Sequence, residues 1–523
     1  MSKTTSSNYL IFIAAVVSVG GFLFGFDASV ISGVTGFIVP EFNLNEWEEG
    51  FAVACLTVTS TIAMATAGPL SDRYGRKGIL IFVGLFYALS ALLSALAPNF
   101  TILIIARMLG GFSVGAALIL APLYIAEISP AEQRGRMISI NQLNIVLGFS
   151  AAYFCNYYLL QLSGSDASWV KNLGIDVNTW RWMLGLELLP ALAYFLLMFL
   201  VPESPRWLLM KGRKEEANAI LIKINGNEAT AQQVQNDILN NLEEAKSKAK
   251  PSFSELFNPT LRLVLAIGLI VGIAQQITGV NAIYFYATSI FEQSGIGQNA
   301  AFAQAIWVGI INVVFTILAM YLIDRVGRRP LLLVGVAGIV ISMSIAAYGF
   351  HTATYALTSE AVSTLPKELD KTKITHLVGQ SFDNDVQFKK AIKDALGNVE
   401  SSKHEAAIIQ AAVDMNPILI LLGILGFVAS FAISLGPVMW VLAAEIFPNY
   451  IRGVAISFVG FINSAISYLV QQFFPWELAT LGNALTFLIY GGFALIAFGL
   501  IYKLLPETKG KSLEELEKML INN

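Results

Sequence analysis

The sequence predicts an all-α membrane protein of twelve transmembrane helices arranged as two related six-helix halves, and three observations predict it. The chain is 55% hydrophobic and only 13% charged over 523 residues, against about a quarter charged in soluble domains. Its apolar residues gather into twelve blocks, each close to the ~20 residues that a helix needs to cross the hydrocarbon layer. The motifs at the ends of these blocks also occur twice, in register. Backbone facing lipid must satisfy its own hydrogen bonds, so each block is predicted as a helix.

In chain order the blocks are 9–30, 50–70, 78–97, 101–122, 138–161 and 181–201 in the first half. Those of the second half are 262–286, 302–323, 330–350, 417–437, 454–474 and 483–503. Block one runs directly into Phe24-Gly25-Phe26-Asp27 with no small-residue cleavage pattern after it, so it is predicted as a retained helix and not a signal peptide. Between blocks one and two stand Glu41, Glu46, Glu48 and Glu49 without a Lys or Arg. Cations collect in the alternate loops: Arg73, Arg76 and Lys77 after block two, Arg134 and Arg136 after four, Arg325, Arg328 and Arg329 after eight, and Arg452 after ten. Lys503, Lys509, Lys511 and Lys518 follow block twelve. The positive-inside rule then places both termini in the cytoplasm.

The predicted organisation is an N-terminal half over 1–201, a cytoplasmic helical linker over 202–260, a C-terminal half over 261–503 and a cytoplasmic tail over 504–523. The linker carries helical periodicity at Ala217, Ile220, Leu221 and Ile224, then at Val234, Ile238 and Leu242. In the tail, Ser512 followed by Glu515 reads as a capping box opening a helix over 512–520.

The repeat is carried by three pairs of motifs. Gly68-Pro-Leu-Ser-Asp72-Arg73-Tyr-Gly75-Arg76-Lys77 returns as Asp324-Arg325-Val-Gly327-Arg328-Arg329. Ala126-Glu127-Ile-Ser-Pro130 with Arg134-Gly135 returns as Ala444-Glu445-Ile-Phe-Pro448 with Arg452-Gly453. Pro202-Glu203-Ser204-Pro205-Arg206 returns more loosely as Pro506-Glu507-Thr508-Lys509-Gly510. The second pair is spaced more widely than the first, which requires an insertion between blocks nine and ten. Residues 352–415, polar and charged in both signs with helical stretches at 385–396 and 401–413, supply it on the outer side.

The duplicated charges suggest a cytoplasmic gate. Asp72, Arg73, Arg76, Glu127, Arg134, Glu203 and Arg206 in one half, with Asp324, Arg325, Arg328, Glu445 and Arg452 in the other, could form ion pairs that hold the halves together when that side is shut. Each exposed pair is worth only about 0.2–1 kcal/mol, so several together give a switch that can still open.

Ionisable groups inside the blocks are few, costly and therefore functional candidates: Asp27 in block one, Arg107 in block four and Glu187 in block six. A carboxylate between burial, which disfavours its charged form, and a guanidinium, which favours it, can take up and release a proton. The remaining polar residues there are neutral: Gln142, Gln275, Gln276, Asn281, Asn312 and Asn463, accompanied by Phe24, Tyr284, Phe285, Tyr286 and Trp440. Amides donate and accept, and aromatic faces pack on C–H edges, which suits a neutral polyhydroxyl ligand. Blocks seven and ten are glycine-interrupted (Gly272 and Gly279; Gly423, Gly426 and Gly436-Pro437), and interruptions at matching places in two halves point to a binding site.

Cys55 and Cys155 lie inside blocks and offer no disulfide framework, and His351, His376 and His404 lie in or beside the insert. No metal-ligand constellation, phosphate-binding Gly-Lys-Ser loop or hydrolytic triad is present, so an enzyme and an ATP-driven pump are not predicted, nor is a nucleic-acid partner.

These residues together resemble the sugar porters of the major facilitator superfamily. The resemblance runs from about residue 10 to 515 and rests on both Asp-Arg-x-Gly-Arg loops, Arg107-Met-Leu-Gly110-Gly111, Pro122-Leu-Tyr-Ile-Ala-Glu127, Pro202-Glu-Ser-Pro-Arg206, Gln275-Gln276 and Pro506-Glu-Thr508. In motif wording the chain is similar to bacterial D-xylose/proton symporters and to animal facilitative glucose transporters. The resemblance implies sugar contacts from Gln142, Gln275, Gln276, Asn281, Asn312, Trp440 and Asn463 with Phe24 nearby, and a coupling pair of Asp27 and Arg107 supported by Glu187. Asp27 stands where proton-coupled members carry Asp and animal facilitators carry Asn. Phe149, Phe285 and Ser464 depart from the xylose symporters at positions lined by glutamine, tyrosine and tryptophan there, which leaves the sugar open.

The resemblance therefore implies proton-coupled import of a monosaccharide, glucose, galactose or xylose, by alternating access. It implies a multi-pass protein of the plasma or inner membrane, working as a monomer, with the proton as coupling ion and no other cofactor or metal. A facilitative uniporter, a polyol or cyclitol carrier and a sugar sensor are the alternatives.

Overall fold

A computed structural model of the chain describes residues 3–247, 252–448, 450–511, 515, 516 and 519. Among the described residues twelve helices are long and apolar enough to cross a membrane. Helices one to six are Asn8–Phe42, Glu46–Tyr74, Arg76–Ala95, Phe100–Ile128, Gln133–Ser163 and Thr179–Leu197. Helices seven to twelve are Pro259–Phe285, Gln298–Val326, Arg328–His351, Pro417–Ile446, Arg452–Thr480 and Asn483–Leu504. The predicted all-α class and order hold. Most helices outrun their apolar blocks because the backbone stays helical for a turn or two past the hydrocarbon. Glu127 thus sits in the last turn of helix four, and helix ten continues to Ile446 where the sequence reading ended it at 437.

Three helices are broken, each for a local reason. Helix ten divides into Pro417–Ile433 and Leu435–Ile446 around Ser434, whose φ of −126° and ψ of −96° leave the helical region. Pro437 has no N–H to give the Ile433 carbonyl, so the ladder is interrupted there. Helix seven stops at Ile277 and restarts at Val280 after Gly279, whose φ of +93° suits glycine. Helix six divides into Thr179–Gly185 and Leu188–Leu197. That break was not expected; its cause is Pro190, which leaves the Leu186 carbonyl without its usual donor.

The chain forms two compact units, Met1–Ala28 with Cys55–Ala152 and Arg181–Lys250, and Ser29–Ala54 with Tyr153–Trp180 and Pro251–Asn523. In the first unit Val17, Leu23, Val83, Leu120, Tyr124 and Tyr194 belong to one buried apolar cluster. Helices one and five touch backbone to backbone: a Cβ on Gly25 would stand 2.0 Å from the Ile145 carbonyl oxygen, and one on Gly148 2.0 Å from that of Phe22. Only hydrogen fits at either place, and this contact sets the height of Phe24 and Asp27.

In the second unit the later half of helix one is seated on the short helix Ala287–Glu292 that follows helix seven. The Thr288 N–H donates to Ser32 Oγ at 3.0 Å, Asn156 donates to the Val30 carbonyl at 3.0 Å, and Tyr153 donates to the Tyr284 carbonyl at 2.6 Å. The 352–415 insert is a folded module. Helices Asp385–Leu396 and Asn398–Ala412 match the predicted stretches, with a further helix Ser359–Thr364. Three strands, Thr354–Ala356, Ser381–Phe382 and Val413–Asp414, form a sheet with the first in the middle, too short to leave a period in the sequence. Tyr355 and Phe388 stack at 5.4 Å inside the module's own core. Its anchor is Asp385, buried, which accepts from the Asn483 N–H at 3.1 Å and its side-chain amide at 2.6 Å at the start of helix twelve.

The linker contains helices Pro205–Met210, Lys214–Asn225 and Glu228–Ser247, as its periodicity predicts. Ser512, the predicted cap of the tail helix, lies outside the described residues.

Candidate functional site

The first unit holds a buried ionic cluster. Helix one brings Asp27 and helix four brings Arg107, whose Nη1 lies 3.2 Å from Asp27 Oδ1, with side chains 5% and 2% exposed. Glu187 enters from the break in helix six, is buried, and interacts electrostatically with both. Its Oε1 has no hydrogen-bond partner among the described residues. Gly110 leaves room for the pair, since a Cβ there would approach Asp27 Oδ2 to 2.8 Å. Two carboxyls and one guanidinium sharing a buried cluster are electrically neutral only when one carboxyl holds a proton. Because a net charge is expensive to bury, the cluster is a place where a proton can be carried.

Around it, Phe24 meets Phe149 edge to face at 6.2 Å, so the apolar residue at position 149 completes an aromatic pair. Gln142 is exposed, on the same helix as Phe149.

The second unit holds an amide network on helices seven, ten and eleven. Gln275 Nε2 donates to the carbonyls of Leu435 at 2.9 Å and Gly436 at 3.2 Å. Asn463 Nδ2 donates to the Gly272 carbonyl and to Gln275 Oε1, both at 2.8 Å. Gln276 Nε2 donates to Asn463 Oδ1 at 3.2 Å and accepts at Oε1 from Asn281 Nδ2 at 2.8 Å. Asn281 also donates to Ser467 Oγ at 2.6 Å, which accepts from Gln471 Nε2 at 2.8 Å. Four of the predicted residues, Gln275, Gln276, Asn281 and Asn463, are therefore brought together. Ser467 and Gln471 were not foreseen, although Asn463, Ser467 and Gln471 fall four apart on one helix face. Asn312 is buried on helix eight with no hydrogen bond among the described residues, and Trp440 is 47% exposed with its ring over Gly460. Neither joins the network. Such a set of amides with unengaged Asn312, Asn281 Oδ1 and an open indole face can bind hydroxyls and stack on a ring.

At one end of each unit the duplicated motifs fold into the same charged cluster. In the first, Arg76 bridges Glu127 at 3.1 Å and Asp72 at 2.8 Å, and Ser204 Oγ donates to Glu127 at 2.5 Å. Glu203 accepts the backbone N–H groups of Arg76 at 3.0 Å and Lys77 at 3.1 Å, an anion at the start of helix three. In the second, Arg328 bridges Glu445 at 2.7 Å and Asp324 at 3.1 Å, and Thr508 donates to Glu445 at 2.7 Å. Glu507 accepts from the N–H groups of Arg328 and Arg329, both at 3.1 Å, at the start of helix nine. Ser204, Thr508 and Glu507 were not among the predicted site residues; their place in the repeated motifs was the available signal.

These ion pairs are made inside each unit. The other predicted gate arginines have no carboxylate partner among the described residues. Arg73 and Arg325 stack over Tyr74 and Tyr321, at 5.2 and 3.9 Å. Arg134 and Arg452 donate to the carbonyls of Ala126 and Phe447, at 3.1 and 3.0 Å, and Arg206 is exposed.

Residues 13–365 and 402–520 match the family described as sugar (and other) transporters, the unmatched stretch falling inside the insert. The chain is 34% identical over 521 residues to the arabinose-proton symporter of Bacillus subtilis, covering 100% of this chain and 97% of that protein. It is 33% identical to the D-xylose-proton symporter of Escherichia coli, covering 99% and 97%. Its structure is similar to the inward-open conformation of the E. coli xylose transporter XylE, with a TM-score of 0.73 at 31% identity, covering 98% of this chain and 100% of that one. With this match along nearly its whole length, the chain belongs to the sugar transporter family of the major facilitator superfamily.

Proposed function

We propose that this chain imports a monosaccharide together with protons by alternating access. The observation that carries the reading is the buried Asp27–Arg107–Glu187 cluster, whose charge balances only with a proton aboard. In the second unit the amides of helices seven and eleven, with Asn312 and Trp440, are the proposed sugar contacts, and in the first unit Gln142 and Phe24 are; the similar arabinose-proton and D-xylose-proton symporters support that cargo. Glucose, galactose and xylose head the list of substrates. The protein works as a monomer in the cell membrane with both termini cytoplasmic, an orientation supported by the cations at the ends of helices two, four, eight, ten and twelve. Reconstituted in liposomes, it is expected to accumulate at least one sugar of a labelled monosaccharide panel when the pH is lower outside, and to stop when the gradient is collapsed. Equilibration without accumulation would make it a uniporter; no uptake or competition by any member would end the sugar assignment.

The charged clusters at the cytoplasmic ends are the proposed gate. Glu445→Gln takes the charge from the Arg328 partner, a largely shielded pair 2.7 Å apart and worth about 1 kcal/mol, the upper end of the range for exposed pairs. Labelling of a cysteine reached from the cytoplasm is expected to rise up to about fivefold, the factor such an energy supplies. Unchanged labelling and transport in Glu445→Gln combined with Arg452→Ala would remove these residues from the gate.

A further inference from the structure

Gln275 stands just before the Gly279 break of helix seven, and its amide has no capacity left over. Both Nε2 hydrogens are committed to the carbonyls of Leu435 and Gly436, at 2.9 and 3.2 Å. Its Oε1 accepts from Asn463 at 2.8 Å and from Gln276 at 3.4 Å. The side chain is 5% exposed, and Asn463, itself tied to the Gly272 carbonyl at 2.8 Å, fixes which way the amide faces.

The two carbonyls it holds are the first past the bend in helix ten. There the helix has lost a rung to Pro437, and Ser434 lies outside helical geometry. Val438 resumes the ladder by donating to the Ser434 carbonyl at 2.9 Å, so the irregularity is confined to about one turn. A side chain from helix seven thus braces the first turn of helix ten after its bend.

An amide nitrogen carries two hydrogens. A ligand hydroxyl can therefore be engaged by Gln275 Nε2 only if a carbonyl on helix ten gives one up. Exchanging one neutral hydrogen bond for another changes the energy little. Its consequence is conformational, because the ligand gains this bond only in the unpinned state, and such differential interaction is what lets a ligand shift an equilibrium. We propose that Gln275 is a positioning residue that pins the bend of helix ten in the empty carrier, and that a sugar hydroxyl competing for Nε2 releases it. The release step rests on the monosaccharide reading above; the pin in the empty protein does not.

The test follows hydrogen–deuterium exchange of peptides spanning residues 431–440 in the full-length protein in lipid nanodiscs, with and without saturating D-glucose, D-galactose or D-xylose. Gln275→Glu keeps the acceptors and, when ionised, has no hydrogen to donate; Gln275→Asn keeps the amide and is one methylene too short to reach. In the wild type, a sugar is expected to speed exchange of this segment about fivefold or more, the factor one typical hydrogen bond supplies. Both variants are expected to exchange at the faster rate without sugar and to lose the sugar response, while helices eight and twelve keep their wild-type rates. Variants whose 431–440 peptides exchange as slowly as the wild type overturn the pin, and so does a rise spread evenly over all helices. If the variants loosen the segment but no sugar changes the wild type, the pin stands and release by these sugars is refuted. Sugar uptake by that same wild type would then keep the monosaccharide reading alive.

Discussion

Replacing Asp27 with asparagine is expected to abolish pH-driven accumulation of sugar while sparing sugar-for-sugar exchange. The argument is one of charge. With Asp27, the buried cluster has two carboxyls against one guanidinium and is neutral only with a proton bound; in the Asp27→Asn protein, Glu187 and Arg107 balance each other and no proton is needed. The substitution is nearly isosteric, and the amide oxygen can still accept from Arg107 Nη1, now 3.2 Å from Asp27 Oδ1, so the packing of helices one and four is kept. Proteoliposomes should then equilibrate labelled sugar to the outside concentration and no further under an inward proton gradient, with counterflow retained. Continued accumulation would place coupling elsewhere. Loss of counterflow together with accumulation would make the Asp27–Arg107 pair a structural bridge.

Gly148→Ala is expected to remove most transport activity and to lower the melting temperature. Its new methyl would stand 2.0 Å from the Phe22 carbonyl oxygen and 3.0 Å from the Phe26 nitrogen, and both obstacles are backbone, so helices one and five must separate. Overpacking of this kind costs about 1–3 kcal/mol. The same separation moves Phe24 and Asp27 away from Phe149 and Arg107, so function is lost before the fold is. Gly25→Ala, whose Cβ would stand 2.0 Å from the Ile145 carbonyl oxygen, should do likewise. The control is Gly78→Ala in helix three, where a Cβ meets nothing within 4 Å. Gly78 lies in the first turn of helix three, so the change is expected to be neutral or to favour Ala by less than the about 0.5–1 kcal/mol of a helix interior. Transport assays and thermal unfolding of the three variants decide the matter, and a fully active Gly148→Ala protein would refute the close crossing.

Much of the site was legible because chemistry at unusual places is visible without coordinates. Asp27, Arg107 and Glu187 stood out as charges inside apolar blocks, and the cluster contains all three. Gln275, Gln276, Asn281 and Asn463 stood out as amides in the same setting, and the network joins all four. Ser467 and Gln471 were missed because serine and glutamine in helix eleven look like ordinary helix-packing residues until Asn281 is seen to donate to Ser467, which Gln471 also reaches. The break in helix six was missed because a single proline in an apolar run does not say whether the helix will bend or part, and here it parts beside the buried Glu187. The duplicated charges suggest pairs between the halves when the cytoplasmic side is shut; the pairs made in this structure are local, Arg76 to Glu127 and Arg328 to Glu445, each within its own unit. The sequence pattern gives the signs of charges and their order, but which arginine of a loop meets an acid depends on the direction each leaves the backbone. Arg76 and Arg328 turn toward helices four and ten, while Arg73 and Arg325 lie over tyrosines.

The amino-acid sequence by itself determined the twelve spans, their order, the duplicated motifs and the identity of the proton-carrying candidates. The physical reason is that these follow from hydrophobic length and from the cost of placing charge in hydrocarbon, properties that each segment carries alone. Only the tertiary structure decided that the amides of helices seven and eleven spend their hydrogens on one another and on helix ten, and that helices one and five touch at Gly25 and Gly148. It also decided that residues 352–415 fold as a module anchored through Asp385 at helix twelve. Those facts depend on which helix faces which, and a hydrogen bond or a steric contact exists only between partners that distant parts of the chain bring within about 3 Å of each other.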